Sequence, residues 1–316
     1  MGIMSKLLNI ALDRPLPHPS SEEKIFVSEL QTAFREFSVL ETTNVLQSEA
    51  MWLSNMNQLR EFVLSRDPRE FLQWDVVSRT MFLSFAWFTS KELKYLKHRP
   101  DWNTRWRSAI KESLVGHPSP YIFYPSSSAN LIHHAYHVAQ FEEKTKIQVQ
   151  NMDYVFEFGG GYGSMCRLFY KLGFRGKYVI FDLPAFSLLQ RYYLRTLGFP
   201  VRSAAELVQT KTGIACVSDI QHLVPLLTNH LKPKHSMFIA TWSLSESPIN
   251  IRESILPLTS EFESFLIAYQ DRFGEVNNTD YFDNWKETTK NVVWHSWGIE
   301  HIPGSSYLVG RVVDNW

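Results

Sequence analysis

The stretch YVFEFGGGYGSMCRLFYKLG, residues 154–173, restricts the fold more than any other part of the chain. It holds glycines at 159, 160, 161 and 163, in a chain with only 14 glycines among 316 residues. A short apolar run leads into them, and an apolar helical pattern closed by glycine follows. Clustered glycines let the backbone take φ values closed to other residues and approach a ligand closely. A helix starting there would point its free N–H groups and positive dipole end at whatever occupies the turn. A turn needed only for packing seldom takes four glycines, so the segment reads as a ligand loop between a strand and a helix.

The pattern continues along the chain. KYVIFDLP, IACVSD, SMFIATWS and SFLIAYQ read as further buried strands, with helical stretches such as AFSLLQRYYLRTLG between them. Short apolar runs alternating with helices predict a mostly parallel sheet. The final WGIEHIPGSSYLVGRVV reads as an antiparallel hairpin around PGSS. Residues 1–125 are different. Ser20 and Glu23 stand at capping-box spacing before a helix, a second helix is expected over about 46–65, and a third from Asp67-Pro68. A basic helix is expected over 103–114, and ANLIHHAYHVAQFEEKTK as another helix. GHPSPYIFYPSSSAN, with three prolines and four serines, marks the boundary. The organisation expected is a helical region over 1–125 and an α/β domain over 126–316.

Spacing within the loop selects among cofactors. A dinucleotide fingerprint, G-x-G-x-x-G, would need glycine at 164, where serine stands. The spacing is instead E-x-G-x-G-x-G, formed by Glu157, Gly159, Gly161 and Gly163. A carboxylate at 157 would repel phosphate but could hold an ammonium group. A cofactor with an amino-acid end, a ribose and no phosphate fits better than a nicotinamide dinucleotide. Asp182, at the end of the second strand, can take two ribose hydroxyls or cap the next helix. Asp219, at the end of the third, can lie near an adenine or act as a cap.

This pattern resembles the first motifs of class I S-adenosylmethionine-dependent methyltransferases. EFGGGYGSMCRL, YVIFDLPAFSLLQRYYL, FIATWSLSES and FLIAYQDRFGEVNNTDYF together resemble the sugar O-methyltransferase family, over about 126–316. The resemblance implies a seven-stranded, mostly parallel Rossmann-like methyltransferase sheet with an antiparallel last strand. It implies S-adenosyl-L-methionine as cofactor, and a sugar hydroxyl on a glycan, nucleotide sugar or glycosylated metabolite as acceptor. The helical N-terminal region would form part of the acceptor pocket or a homodimer surface.

Methyl transfer to a hydroxyl is largely a positioning task that needs a general base within hydrogen-bond reach. In open α/β sheets the ligand lies outside the carboxyl ends of the strands. The fourth strand ends in TWSLSES, so Glu246 is the first choice of base, with Ser243 and Ser245 as substrate contacts. Ser243 and Glu246 equally have the S-x-x-E spacing of a capping box. Gln270, Asn278 and Tyr281 could bond a polyol, and Asn278 and Thr279 equally suit a helix cap. His137 and His301 are alternative bases. His133 and His137 share a helix face, but two imidazoles alone make an incomplete metal site, and no metal is expected.

Composition narrows the partners. Lys plus Arg equals Asp plus Glu, 32 each, which lacks the footprint of a non-specific nucleic-acid binder. The basic segment KYLKHRPDWNTRWR reads as a solvated helix face and loop. Two cysteines are too few for a disulfide framework, and no apolar run is long enough to span a bilayer, so a cytoplasmic protein is expected. A nicotinamide-dependent oxidoreductase and a non-catalytic methyltransferase-fold binding module are the alternatives.

Overall fold

The computed structural model describes residues 15–38, 47–81, 87–228, 235–289 and 291–313. The chain forms two compact units, one of Met1–Tyr136, Gly161–Leu172 and Leu183–Val201, the other of His137–Gly160, Gly173–Asp182 and Arg202–Trp316.

The first unit is helical. α1 (Ser21–Glu36) is capped by Ser20, whose hydroxyl accepts the Glu23 N–H at 3.0 Å. α2 spans Gln47–Ser65. The helix expected from Asp67-Pro68 is divided. Asp67 caps a 3-10 turn, Pro68–Gln73, an extended Trp74 follows, and α3 (Asp75–Met81) starts anew. The helix expected over 103–114 is replaced too. α4 (Thr89–His98) stops before Arg99-Pro100, since a residue preceding proline is driven out of helical geometry. A wide turn at Trp102–Trp106 follows, held by the Trp106 indole donating to Asp101 Oδ2 at 2.9 Å, and only Arg107–Ala109 continue it as α-helix.

α5 (Ala129–Thr145) has its residues from His137 onward in the second unit; α6 (Ser164–Lys171) and α7 (Pro184–Thr196) belong to the first. Phe71 lies at ring distances of 5.9, 6.3 and 5.8 Å from Tyr162, Tyr192 and Tyr193, which anchors α6 and α7 in the apolar interior of this unit. A buried ion pair, Arg167–Glu112 at 2.9 Å, fixes α6 further.

The second unit holds the sheet. Its strands are β1 (Tyr154–Phe158), β2 (Lys177–Phe181), β3 (Gly213–Val217), β4 (Ser236–Thr241) and β5 (Ser264–Gln270). A small hairpin, β6 (Arg272–Phe273) with β7 (Val276–Asn277), stands apart, and β8 (Val292–Gly298) and β9 (Ser305–Val312) complete the set. The sheet order is β3-β2-β1-β4-β5-β9-β8. β1 to β5 pair in parallel, and β9 runs antiparallel between β5 and β8. This is the seven-stranded, mostly parallel Rossmann-like sheet, with an antiparallel last strand, expected from the sequence.

β1 in the middle of the sheet and β3 at its edge are both buried along their length, which explains why they read as unbroken apolar runs rather than alternations. Phe156, Val179, Ala215, Phe238, Phe265 and Leu308 share one cluster with Leu207, Leu223, Ile255 and Phe282. The last four come from α8 (Ala204–Gln209), α9 (Ile220–Thr228), α10 (Ile249–Ile255) and α11 (Asn278–Thr288). Among the described residues, no helix is long and apolar enough to cross a membrane.

Candidate active site

In the order β3-β2-β1-β4-β5, chain direction reverses its lateral progress between β1 and β4. A crevice at the carboxyl ends of the strands is expected at such a switch point. The loops leaving β1 and β4 meet there. Gly159 has φ 75°, and a Cβ built on it would lie 2.2 Å from Ser243 Cβ. The Ser243 hydroxyl donates to the Phe158 carbonyl, which ties the loop after β4 to the end of β1. A Cβ on Gly160 would lie 2.5 Å from Ile180 Cγ2 and 3.1 Å from Glu157 Oε2. Gly161 and Gly163, in the first unit, have φ 58° and 93°, and Gly163 caps α6. Three of the four glycines are needed for their left-handed backbone, and Gly159 and Gly160 also for close approach. The result is a tight backbone cradle in which the Cβ positions of Gly159 and Gly160 are already taken by Ser243 and Ile180.

Glu157 lies beneath this cradle, buried, with Oε2 accepting the Tyr178 hydroxyl at 2.9 Å. Burial pushes its pKa up to about 8, nearby Asp182 adds to the rise, and the Tyr178 hydrogen bond opposes it. Asp182 directly follows β2, half-buried, its N–H donating to the Val217 carbonyl at 3.0 Å. Asp219 is exposed, and its Oδ1 accepts the Gln221 N–H at 2.8 Å, so its carboxylate caps α9.

The loop after β4 opens with Trp242, whose φ of 63° is unusual for a bulky residue. Strain of this kind, about 1–3 kcal/mol per residue, gathers at functional sites. Trp242 N–H donates to the Ala268 carbonyl at 2.6 Å, and its ring centre lies 5.3 Å from that of His137. The capping box read from Ser243 and Glu246 does not form. The left-handed turn at Trp242 sends the Ser243 hydroxyl to Phe158, and the Glu246 N–H bonds the Trp242 carbonyl at 3.1 Å. Glu246 is half-buried. Burial pushes its pKa up to about 7, against the opposing hydrogen bond from Gln270.

Ser245, Glu246 and Gln270 come together. The Ser245 hydroxyl lies 2.8 Å from Gln270 Oε1 and 2.7 Å from the Trp242 carbonyl, and Gln270 Nε2 lies 3.5 Å from Glu246 Oε1. Asn278 is fully buried, its Nδ2 donating to the Gln270 carbonyl at 2.8 Å and its Oδ1 accepting from Arg252 at 2.7 Å. The cap of α11 falls one residue earlier than read, on Asn277, whose side chain accepts the Asp280 N–H. Tyr281 is half-buried with the Arg252 guanidinium 4.8 Å from its ring centre.

His137 is wholly buried and its Nδ1 bonds the Tyr307 hydroxyl, so the ring is built into the protein. His301 is buried in the β8–β9 connection, which meets the carboxyl end of β5 where Gln270 pairs Ser305. His133 bonds Glu92 at 2.7 Å in the first unit. Among the described residues no three His, Cys, Asp or Glu side chains group as a metal site.

Sequence reasoning missed Tyr178 and Arg252. Tyr178 shares a strand face with Ile180, the residue paired with Glu157, a relation visible only once the β1–β2 register is known. Arg252 stands in INIRESI, where a lone arginine reads as solvent-facing.

No family model matches the chain, and no curated protein matches it. Solved structures give distant likenesses. The methyltransferase domain of bacterial CtHen1 is 11% identical over 57% of this chain and 97% of that one, with TM-score 0.38. Precorrin-6y C5,15-methyltransferase from Geobacter metallireducens is 11% identical over 56% and 86%, with TM-score 0.36. The 16S rRNA methylase ArmA is 11% identical over 72% and 96%, with TM-score 0.34. No substrate or residue role is carried over from them.

Proposed function

We propose that the protein is an S-adenosylmethionine-dependent O-methyltransferase acting on a sugar hydroxyl. The observation that carries this reading is the glycine loop after β1, packed against and bonded to the Glu246 loop across the β1/β4 switch point. Gly159 and Gly160 let the loop pack closely on Ser243 and Ile180, so that its backbone N–H groups would face the cofactor, with Gly161 and Gly163 continuing the loop. Asp182 would take the ribose hydroxyls, and Asp219 would serve the adenine side while keeping its cap. Glu157 supports the loop from below and is positioned to favour an ammonium group. The bound cofactor supplies an electrophilic methyl group.

The chain's own residues supply the rest. Glu246, at a pKa of about 7, is partly ionised at neutral pH and accepts the proton of the acceptor hydroxyl. Gln270 holds that carboxylate, Ser245 holds Gln270, and the pair offers hydrogen bonds to a polyol. Trp242 contributes an apolar face beside them. Tyr281 extends the polar wall, Asn278 acts from behind through the Gln270 carbonyl, and His137 and His301 are the alternative bases. The sugar as acceptor rests on this cluster of neutral hydrogen-bonding side chains and on the family resemblance.

Calorimetric titration with S-adenosylmethionine tests the cofactor half. Binding is expected, and Asp182→Ala should weaken it ~10–100-fold, the range for a hydrogen bond to a charged group. Absence of binding at millimolar cofactor overturns the reading. Methyl transfer from labelled cofactor to a panel of nucleotide sugars and glycans tests the acceptor half.

A further inference from the structure

We propose that Arg252 is a positioning residue that fixes the Glu246 loop, an inference resting on the reading of Glu246 as proton acceptor. Arg252, on α10, is completely buried. Its Nη2 donates to the Ser245 carbonyl at 2.6 Å and its Nε to the Ser247 carbonyl at 2.9 Å. Those two carbonyls flank Glu246. Its Nη1 donates to Asn278 Oδ1 at 2.7 Å, and the Asn278 amide donates onward to the Gln270 carbonyl at 2.8 Å. One guanidinium therefore ties the segment carrying Glu246 to the end of β5 carrying Gln270, the side chain that reaches Glu246.

A structural role alone accounts poorly for this choice of residue. A buried guanidinium bears a desolvation penalty of several kcal/mol, and an apolar side chain would fill the space without it. Among the described residues, none of the hydrogen-bond partners of Arg252 is a carboxylate. What the planar fork provides is three donors in fixed directions, enough to grip two carbonyls and an amide at once, which lysine's single ammonium cannot reproduce. The object gripped is the segment around Glu246. That side chain is raised by burial and held by Gln270, with no charged neighbour contributing to its shift. Its environment thus depends on where the loop sits. A loosened loop turns the carboxyl toward water and lets it titrate as an ordinary glutamate.

The test uses the full chain labelled with carboxyl-13C glutamate, followed by NMR across pH 3–10, the Glu246 signal being identified by its loss in Glu246→Gln. In the wild type the midpoint is expected near 7. In Arg252→Met it should fall by ~1 unit or more, equivalent to at least tenfold in proton affinity. Hydrogen exchange of amides 243–248 should rise at the same time, with exchange in β1 and β2 unchanged. Arg252→Lys should recover part of both effects. An unmoved Glu246 midpoint in Arg252→Met overturns the proposal; if that variant does not fold, an unmoved midpoint in Arg252→Lys does so. These readings need no cofactor. Loss of S-adenosylmethionine binding by the wild type would overturn the proposed function while leaving the Arg252 measurement intact.

Discussion

Gly159→Ala tests whether the two loops are held together as the geometry requires. Two costs are expected. A left-handed backbone costs a non-glycine residue about 1–2 kcal/mol. The new methyl must also find room where Ser243 Cβ stands 2.2 Å away. Overpacking of this sort costs about 1–3 kcal/mol. Gly274, in the β6–β7 turn of the same unit, separates the two. Its φ is 57°, and nothing lies within 4 Å of the place a methyl would take there. Gly274→Ala therefore carries the backbone cost alone, and the difference between the two variants is the packing cost. Ser243→Gly removes the colliding Cβ, so Gly159→Ala with Ser243→Gly should lose less than the two single changes added, by about 1 kcal/mol or more. Urea denaturation followed by tryptophan fluorescence measures all four variants against the wild type. Equal destabilisation by Gly159→Ala and Gly274→Ala, or strict additivity in the double variant, would refute the claim that the β1 and β4 loops pack together.

Glu157 holds its proton more tightly folded than unfolded, so the stability this group confers is full below the ordinary glutamate pKa and is lost as pH rises toward about 8. Glu157→Gln keeps an acceptor for Tyr178 and should flatten that decline, gaining on the order of a few kcal/mol at pH 9 and nothing at pH 4, read from melting temperatures across pH. Glu246→Gln should slow methyl transfer ~10²–10⁴-fold with cofactor affinity unchanged, and the wild-type rate should rise with pH through about 7, as a base requires. Trp242→Gly relieves about 1 kcal/mol of left-handed strain but loses the ring packed beside His137, so it should destabilise the fold on balance and slow transfer, read by denaturation and turnover assays.

The parallel strands were legible because burial on both faces leaves runs of apolar residues that little else explains. The glycine loop was legible because left-handed backbone strongly favours glycine. The S-x-x-E spacing shows the limit. At Ser203 and Glu206 it forms a capping box in the structure, whereas at Ser243 and Glu246 it does not. The local letters are the same, and the difference is the left-handed Trp242, whose N–H bonds the Ala268 carbonyl on β5. Asn277 and Asn278 are equally alike in sequence; one caps α11 and the other faces inward to Arg252, a choice made by where α11 begins. Arg252 escaped notice because a buried cation is recognised by its partners, which lie before it at Ser245 and Ser247 and far after it at Asn278.

The distinction between an S-adenosylmethionine site and a dinucleotide site also moves. From sequence it leaned on a carboxylate at 157 that would repel phosphate. With its pKa near 8, Glu157 is largely protonated at neutral pH and repels phosphate weakly. A neutral carboxyl under the loop can accept the Tyr178 hydrogen bond without the cost of a buried charge, and it becomes anionic only if a cation arrives to stabilise it. Discrimination therefore passes to the sheet. A dinucleotide fold continues its second half with parallel strands. Here β9 enters antiparallel between β5 and β8, and the β8–β9 connection meets the end of β5 beside Gln270. That leaves the β1/β4 switch point beside the Ser245, Glu246 and Gln270 cluster, on the side where a dinucleotide fold would place its second mononucleotide. Cofactor affinity should then rise with pH up to about 8, because a bound ammonium group favours the ionised form of Glu157 and binding releases its proton to solvent, and Glu157→Gln should abolish that dependence. Calorimetry with S-adenosylmethionine at pH 6 and pH 9 reads this directly, and equal affinity at the two pH values in the wild type would leave Glu157 with only its place beneath the loop.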